Sequence, residues 1–189
     1  MKLLSFLVIT ALFISCGGSK TNIDALKKLD SLSKNLKNSS SIAKYTSEDG
    51  KFKIAFPGTP TLASDTVSTD AGIIEMKSFT YEKSATEEYM VAYSDYPSEI
   101  VKKSDPETIL KGAKQGVISS QNATIEKEEK ITLDENPGYY FTAVKDSYHM
   151  CYKIFLRQNR LYQILMLRDG AYPSKEAMDA FMGSFELVK

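Results

Sequence analysis

The chain has no tryptophan, one histidine and two cysteines among its 189 residues, and its 24 basic residues are matched by 24 acidic ones. Each scarcity excludes something. With His149 alone, an imidazole-dependent mechanism has a single place to sit, and a helix carrying paired zinc-binding histidines is ruled out. Two cysteines, at positions 16 and 151, exclude a disulfide framework, so the fold has to rest on its core. The balanced charge leaves no basic surplus to neutralise phosphate backbones, and no nucleic-acid partner is expected. The apolar run from Leu3 to Ile14 falls short of the ~18 residues that span a bilayer. No Gly-x-Ser-x-Gly elbow occurs, and Gly17-Gly18-Ser19-Lys20-Thr21 lacks the Gly-Lys pair of a phosphate loop, so neither chemistry has its usual support.

What is present begins at the N-terminus, where Lys2 leads into the apolar run and Ser15-Cys16-Gly17-Gly18 ends it. A positive start, a short apolar stretch and a small residue before the cut are the marks of a removable export signal. The arrangement resembles the lipobox of bacterial lipoproteins, with Phe13 where that family usually has Leu. The resemblance implies removal of residues 1–15, lipidation of Cys16 and anchoring through several acyl chains, since one chain alone holds a protein only marginally. Gly17 follows the lipidated position in place of the Asp that favours inner-membrane retention, and no acidic cluster lies between Gly17 and Ile23. An outer-membrane lipoprotein with its domain facing the periplasm is therefore expected, held to the membrane by its N-terminal lipid.

Residues 16–42 read as anchor and tether. From Asp24 to Lys37 the residues Ala25, Leu29, Leu32 and Leu36 recur at helical spacing, which predicts a short amphipathic helix, and Asn38-Ser39-Ser40-Ser41 supplies a flexible joint. The leucine stripe is either a partner-binding seam or a plain spacer; fewer than three heptads do not define a coiled coil.

Residues 43–189 read as a single domain. Lys51 to Phe56 alternates polar and apolar residues and is stopped by Pro57-Gly58-Thr59-Pro60. Gly72 to Lys83 and Glu88 to Tyr96 predict an antiparallel pair joined around Ser84-Ala85-Thr86. Ser104-Asp105-Pro106-Glu107 predicts a helix start capped by Asp105, followed by an apolar face of Ile109, Leu110, Ala113 and Val117. Gly112 and Gly116 each cost about 1 kcal/mol of helix propensity relative to Ala, which points to a close approach at that face. Four strands then follow, Thr124 to Leu133, Tyr139 to Lys145, Tyr148 to Arg157 and Leu161 to Arg168, with turns at 134–138, 146–147 and 158–159. Pro173-Ser174-Lys175 opens a last helix bearing Ala177, Met178, Phe181 and Met182, and Gly183 closes it. The expectation is an α+β domain in which helices cover a largely antiparallel sheet.

Phe52-Lys53-Ile54-Ala55-Phe56-Pro57-Gly58, Asn159-Arg160-Leu161-Tyr162-Gln163-Ile164 and Phe181-Met182-Gly183-Ser184-Phe185 give residues 43–189 a pattern that resembles the α/β/α sandwich family of the photosystem accessory protein PsbP and the Ran-binding protein Mog1. The resemblance implies a fold used for accessory and binding roles more than for catalysis, although a fold by itself settles no function.

His149 and Cys151 are two apart on one strand and share a face, with Asp146 near them. Two ligands are fewer than zinc takes from protein, so a surface histidine and a half-buried cysteine explain the pair, and no metal or cofactor is expected. Eleven tyrosines are the other conspicuous feature. Tyr139, Tyr140, Tyr148, Tyr152 and Tyr162 crowd the late meander, with Arg157 and Arg160 at strand ends. Together they form the candidate ligand or partner face, although adjacent Tyr139 and Tyr140 must point to opposite sides, so some of the set belongs to the core. Glu126, Glu128 and Glu129, interleaved with Lys127 and Lys130, read as an exposed strand face. The function expected is a lipid-anchored, non-enzymatic accessory protein that binds another envelope protein, with a small-ligand binder whose pocket lies at the tyrosine-rich sheet as the alternative.

Overall fold

A computed structural model describes residues 43–69 and 72–189. Cys16 and the predicted tether helix lie outside the described residues. Strands β3 (Thr61–Thr69), β4 (Gly72–Ser84), β5 (Glu87–Asp95), β6 (Thr124–Leu133), β7 (Asn136–Lys145), β8 (Tyr148–Arg157) and β9 (Arg160–Asp169) form one sheet in the order β3-β4-β5-β9-β8-β7-β6. Every neighbouring pair in it is antiparallel. A second sheet joins β1 (Tyr45–Ser47), β2 (Phe52–Ile54) and β10 (Glu186–Leu187) in the order β1-β2-β10. The helices are α1 (Ser98–Lys103), α2 (Pro106–Gln121) and α3 (Lys175–Phe181).

The path follows from the turns. After β5 the chain leaves the sheet, passes through α1 and α2, and re-enters at the opposite edge as β6. From there two-residue turns bring it back strand by strand until β9 pairs with β5 in unbroken register, from Glu87↔Arg168 to Asp95↔Arg160. These turns put Asp134, Glu135, Asp146 and Gln158 at positive φ, a conformation that Asp and its neighbours in polarity accept more readily than branched residues do.

The large sheet has an apolar core on each side. On one side Ile109, Leu110 and Ile118 of α2 pack over Phe141, Ala143, Met150, Tyr152 and Ile154, with the Phe141 and Tyr152 rings stacked at 4.8 Å. On the other, Phe52 and Ile54 of the small sheet, Phe181 of α3 and Phe185 pack over Phe79, Val91, Tyr162, Ile164 and Met166. There the Phe52 ring meets Phe79 edge-on at 5.3 Å and stacks on Phe185 at 5.7 Å. Each fully buried side chain of this size contributes about 1.5–3 kcal/mol, against about 0–1 kcal/mol for an exposed ion pair, so burial holds these layers together and the surface charges trim them.

Several expectations are corrected. Helices do not cover the sheet: α2 spans one face, but the other is covered by the small sheet and the seven-residue α3. Phe52–Ile54 falls within the alternating run read at Lys51 to Phe56, but three-residue β1 and two-residue β10 are too short to show a period, so the second sheet as such left little trace in the pattern. Thr61–Thr69, unassigned by periodicity, is an edge strand exposed on most of its length. The turn expected over 134–138 contracts to Asp134 and Glu135, and Pro137 and Gly138 lie within β7. A Cβ at Gly138 would sit 2.2 Å from the Ile154 carbonyl and 2.6 Å from the Phe155 ring, so the strand needs glycine there to let that ring lie across it. Gly112 and Gly116 serve no close approach, since a Cβ at either meets nothing within 4 Å. Asp105 occupies the N-cap of α2 without a side-chain bond, whereas Ser174 caps α3 by accepting the Ala177 N–H at 3.2 Å.

The α2 helix is clipped to the edge strand β6 by charge. Lys130 reaches Glu107 at 2.8 Å, Lys111 reaches the same carboxylate at 2.9 Å, and Lys114 pairs with Glu128. Glu128 and Lys130 lie on an exposed strand face, as their pattern suggested, and are also engaged with the helix. The hydrogen bond from Lys130, then that from Lys111, lowers the Glu107 carboxyl from an ordinary 4.5 to about 2. A depressed folded-state value stabilises the fold above the unfolded value and is lost as pH falls through the folded one. Glu107→Gln is therefore expected to flatten the loss of thermal stability between about pH 4.5 and 2. Melting curves of both chains across that window check it, and identical acid limbs would count against the clip.

Candidate functional site

The side of the large sheet that carries the small sheet and α3 is not fully covered by the described residues. Beyond Phe185, towards β6, a cleft of about 650 Å³ remains open between the sheet and α3. Its floor is set by register: Glu129 on β6, Tyr140 on β7 and Lys153 on β8 are direct cross-strand neighbours, and Ile131, Gly138 and Phe155 form the next row. One wall is α3, with Met178, Asp179 and Met182; Phe185 closes one end and Leu133 lies at the edge. The volume falls within the range of about 300–1,000 Å³ typical of small-molecule sites, and the lining combines apolar groups with a few polar ones.

The polar groups are unequal. Lys175 pairs with Asp179, and Lys127 stands 3.8 Å from Glu129 and 5.8 Å from the Tyr140 ring centre. Lys153 is half-buried and makes no ion pair among the described residues; its one hydrogen bond goes to the Met182 carbonyl at 3.4 Å. Desolvation lowers the Lys153 ammonium below the ordinary lysine range, partly countered by Asp179 and Glu129. Burial raises both the Tyr140 phenol and the Cys151 thiol, so at neutral pH both are protonated.

The tyrosines and arginines named from sequence do not form one surface. Tyr139 and Tyr152 lie under α2 on the opposite face, almost fully buried. Tyr162 is buried against the small sheet and gives its hydroxyl to the Gly50 carbonyl at 2.9 Å. Tyr148 is partly exposed at the start of β8. Arg157 donates to the Val188 carbonyl at 2.8 Å and holds the C-terminal strand. Arg160 is fully engaged, with Nε and Nη2 on Asp95 at 2.6 and 2.7 Å, Nη1 on the Asp49 carbonyl at 2.6 Å, and its guanidinium 4.5 Å over the Tyr93 ring. Of the candidate face only Tyr140 lines the cleft.

Lys153 was missed, although it carried a signal: it is the one charge within Met150-Cys151-Tyr152-Lys153-Ile154-Phe155-Leu156, an otherwise apolar central strand. Met178 and Met182 were legible as an apolar helix stripe but not as a cleft wall. His149 and Cys151 do share a face. The imidazole, however, packs edge-on to Tyr172 at 4.8 Å with Nδ1 on the Ser147 carbonyl, and the thiol is buried beneath Tyr140.

No family model matches the chain, and no curated protein matches it either. Among solved structures, cyanobacterial PsbP (CyanoP) from Synechocystis sp. PCC 6803 superposes with a TM-score of 0.51 at 12% identity, covering 77% of this chain and 91% of that one. The fold is PsbP-like. A protein from Bacteroides thetaiotaomicron also aligns, with a TM-score of 0.37 at 13% identity over 77% of this chain and 48% of that one, too distant to carry an argument. The PsbP-like likeness is one of architecture, and at this identity it transfers no site.

Burial and the raised thiol make a specific expectation for Cys151. In a chain carrying Cys16→Ser, where it is the sole cysteine, alkylation of the native protein near neutral pH is expected to be about a hundredfold or more slower than in denaturant, because the PsbP-like domain must open before the thiol reacts. Comparable rates in the two states would overturn the buried placement.

Proposed function

We propose that this chain is a lipid-anchored, non-enzymatic binding protein of the bacterial envelope, and that the cleft between β6–β8 and α3 holds a small molecule. The observation that carries the reading is the cleft itself: an apolar hollow with a desolvated, unpaired ammonium on its floor. The Ser15-Cys16 junction supports the anchor and the periplasm-facing outer-membrane location. The burial of Cys151 and the stacking of His149 support a binding role over thiol chemistry. Substituting Cys16→Ser is expected to move the protein from the membrane to the soluble fraction. Native mass spectrometry of that soluble chain, purified without detergent, is expected to show one bound small molecule that Met182→Arg removes. A chain of bare mass from its own envelope would count against the ligand reading, and continued membrane retention would count against the anchor.

A second reading, an envelope protein as partner, is favoured by the contrast between the sheet's two edges. At β6 the edge is guarded by Glu126 to Lys130, by ion pairs to α2 and by a register break between Ile125 and Lys127. At β3 nine residues run in unbroken register with β4, exposed, with Asp65 as their one charge. Such an edge suits an extended, uncharged strand from a partner. Thr66 already gives its N–H to the Asp65 carboxylate at 2.7 Å, so that group points along the open edge and not into the ladder. Thr66→Pro is expected to spare the fold and abolish in-envelope crosslinks placed at Ser64. Crosslinks unchanged by the proline would reject the edge as the contact.

A further inference from the structure

We infer that the cleft selects an amphipathic monoanion, an alkyl carboxylate, with its head on Lys153 Nζ and its chain along Met178, Met182, Ile131 and Phe185. This rests on the proposal that the cleft is a ligand site and goes on to name the chemistry it accepts.

The argument starts from the charge balance. Four charged side chains line the hollow: Glu129, Lys153, Lys175 and Asp179. Lys175 and Asp179 neutralise each other along α3, one turn apart. Glu129 is matched by Lys127 on the same strand. Lys153 is left as the charge with no ion pair among the described residues, and of the four it is the furthest from water, rising from the middle of an apolar strand beside Tyr140. A half-buried ammonium with a single long contact to a carbonyl is costly to hold, because Asp179 and Glu129, acting through space, replace only part of the hydration it has lost. An anion seated beside it would supply that partner. The reduced basicity of Lys153 agrees with this picture, being the mark of a charge awaiting compensation.

The size of the charge is limited by what surrounds it. With Glu129 matched by Lys127 and Asp179 by Lys175, one ammonium is left, so a dianionic head such as a phosphate monoester would bring one negative charge more than the cleft can match. One negative charge balances the cleft; two overfill it. The rest of the lining sets the body of the ligand. Two methionines on α3 face Ile131 and the Phe155 ring, and thioether side chains adapt to flexible aliphatic chains. Gly138 extends the trough, because a side chain there would displace the Phe155 ring that forms part of the floor. The Tyr140 ring lines the hollow beside Lys153, whose charge is the selecting group.

The test uses the mature-length chain, residues 16–189, with Cys16→Ser so that no lipid or detergent is present. Decanoate, decanol, decyl phosphate and decyltrimethylammonium are titrated calorimetrically below their aggregation limits. Decanoate is expected to bind one to one and about tenfold or more tighter than decanol, and Lys153→Met is expected to bring it down to the decanol level while decanol is unchanged. Met182→Arg is expected to abolish both, which places them in the cleft, and amide spectra of the variants check that they remain folded. Equal affinity of decanoate and decanol, untouched by Lys153→Met, would overturn the anion assignment and leave the ligand site standing. Preference for decyl phosphate or for the ammonium probe would overturn the stated charge. If none of the four binds, both the anion assignment and the ligand site fall.

Discussion

The pairing of β5 with β9 is the constraint on which the rest depends. It joins two strands separated by the whole of α1, α2 and the β6–β9 meander, and it unites the β3–β5 and β6–β9 segments into one sheet. Once formed, it makes β5, β8 and β9 interior strands whose side chains are buried on both faces. A sheet that is apolar on both sides must be covered twice. The crossover that brings β6 to the far edge lays α2 across one face. Segments from near the two ends of the described domain cover the other, with β2 and β10 pairing to each other and α3 packing beside them.

The cleft is a consequence of how unequal those two covers are. The α2 helix has sixteen residues and reaches across β7 and β8, with ion pairs extending its hold to β6. On the opposite face the small sheet and α3 stop short of β6. The strip left bare is made of outward-facing residues of the same meander, which is why Tyr140 and Lys153 stand in a hollow while their neighbours Tyr139 and Tyr152 are sealed under the helix. A site of this kind arises at the margin of a core, where apolar floor and partly solvated charge meet.

Much of the architecture was legible because it is local. The hairpins at Asp146-Ser147 and Gln158-Asn159, the helix beginning at Pro106 and the Ser174 cap are each decided by a few adjacent residues. The opposition of Tyr139 and Tyr140 followed from the period of a strand. What was not legible is non-local. The pairing of Phe52–Ile54 with Glu186–Leu187 spans almost the whole domain, and the alternation at Lys51 to Phe56 says nothing of the two-residue partner it finds there. The edge strand Thr61–Thr69, being mostly exposed, lacks the alternation that burial imposes. Arg160 read as a candidate for an anion, yet Asp95 and the Asp49 carbonyl, which take up its donors, are supplied by other strands and turns.

The sequence by itself determined that two cysteines cannot build a disulfide framework, and the run of strands and helices that the PsbP-like architecture requires, since each rests on composition or on contacts between near neighbours. Only the tertiary structure decided which tyrosines are core and which is wall, that Lys153 has no ion pair among the described residues, and that those residues leave one face of the sheet partly open. Those properties depend on what lies across the sheet from a residue, and a strand's own period says which face a side chain takes without saying what covers it.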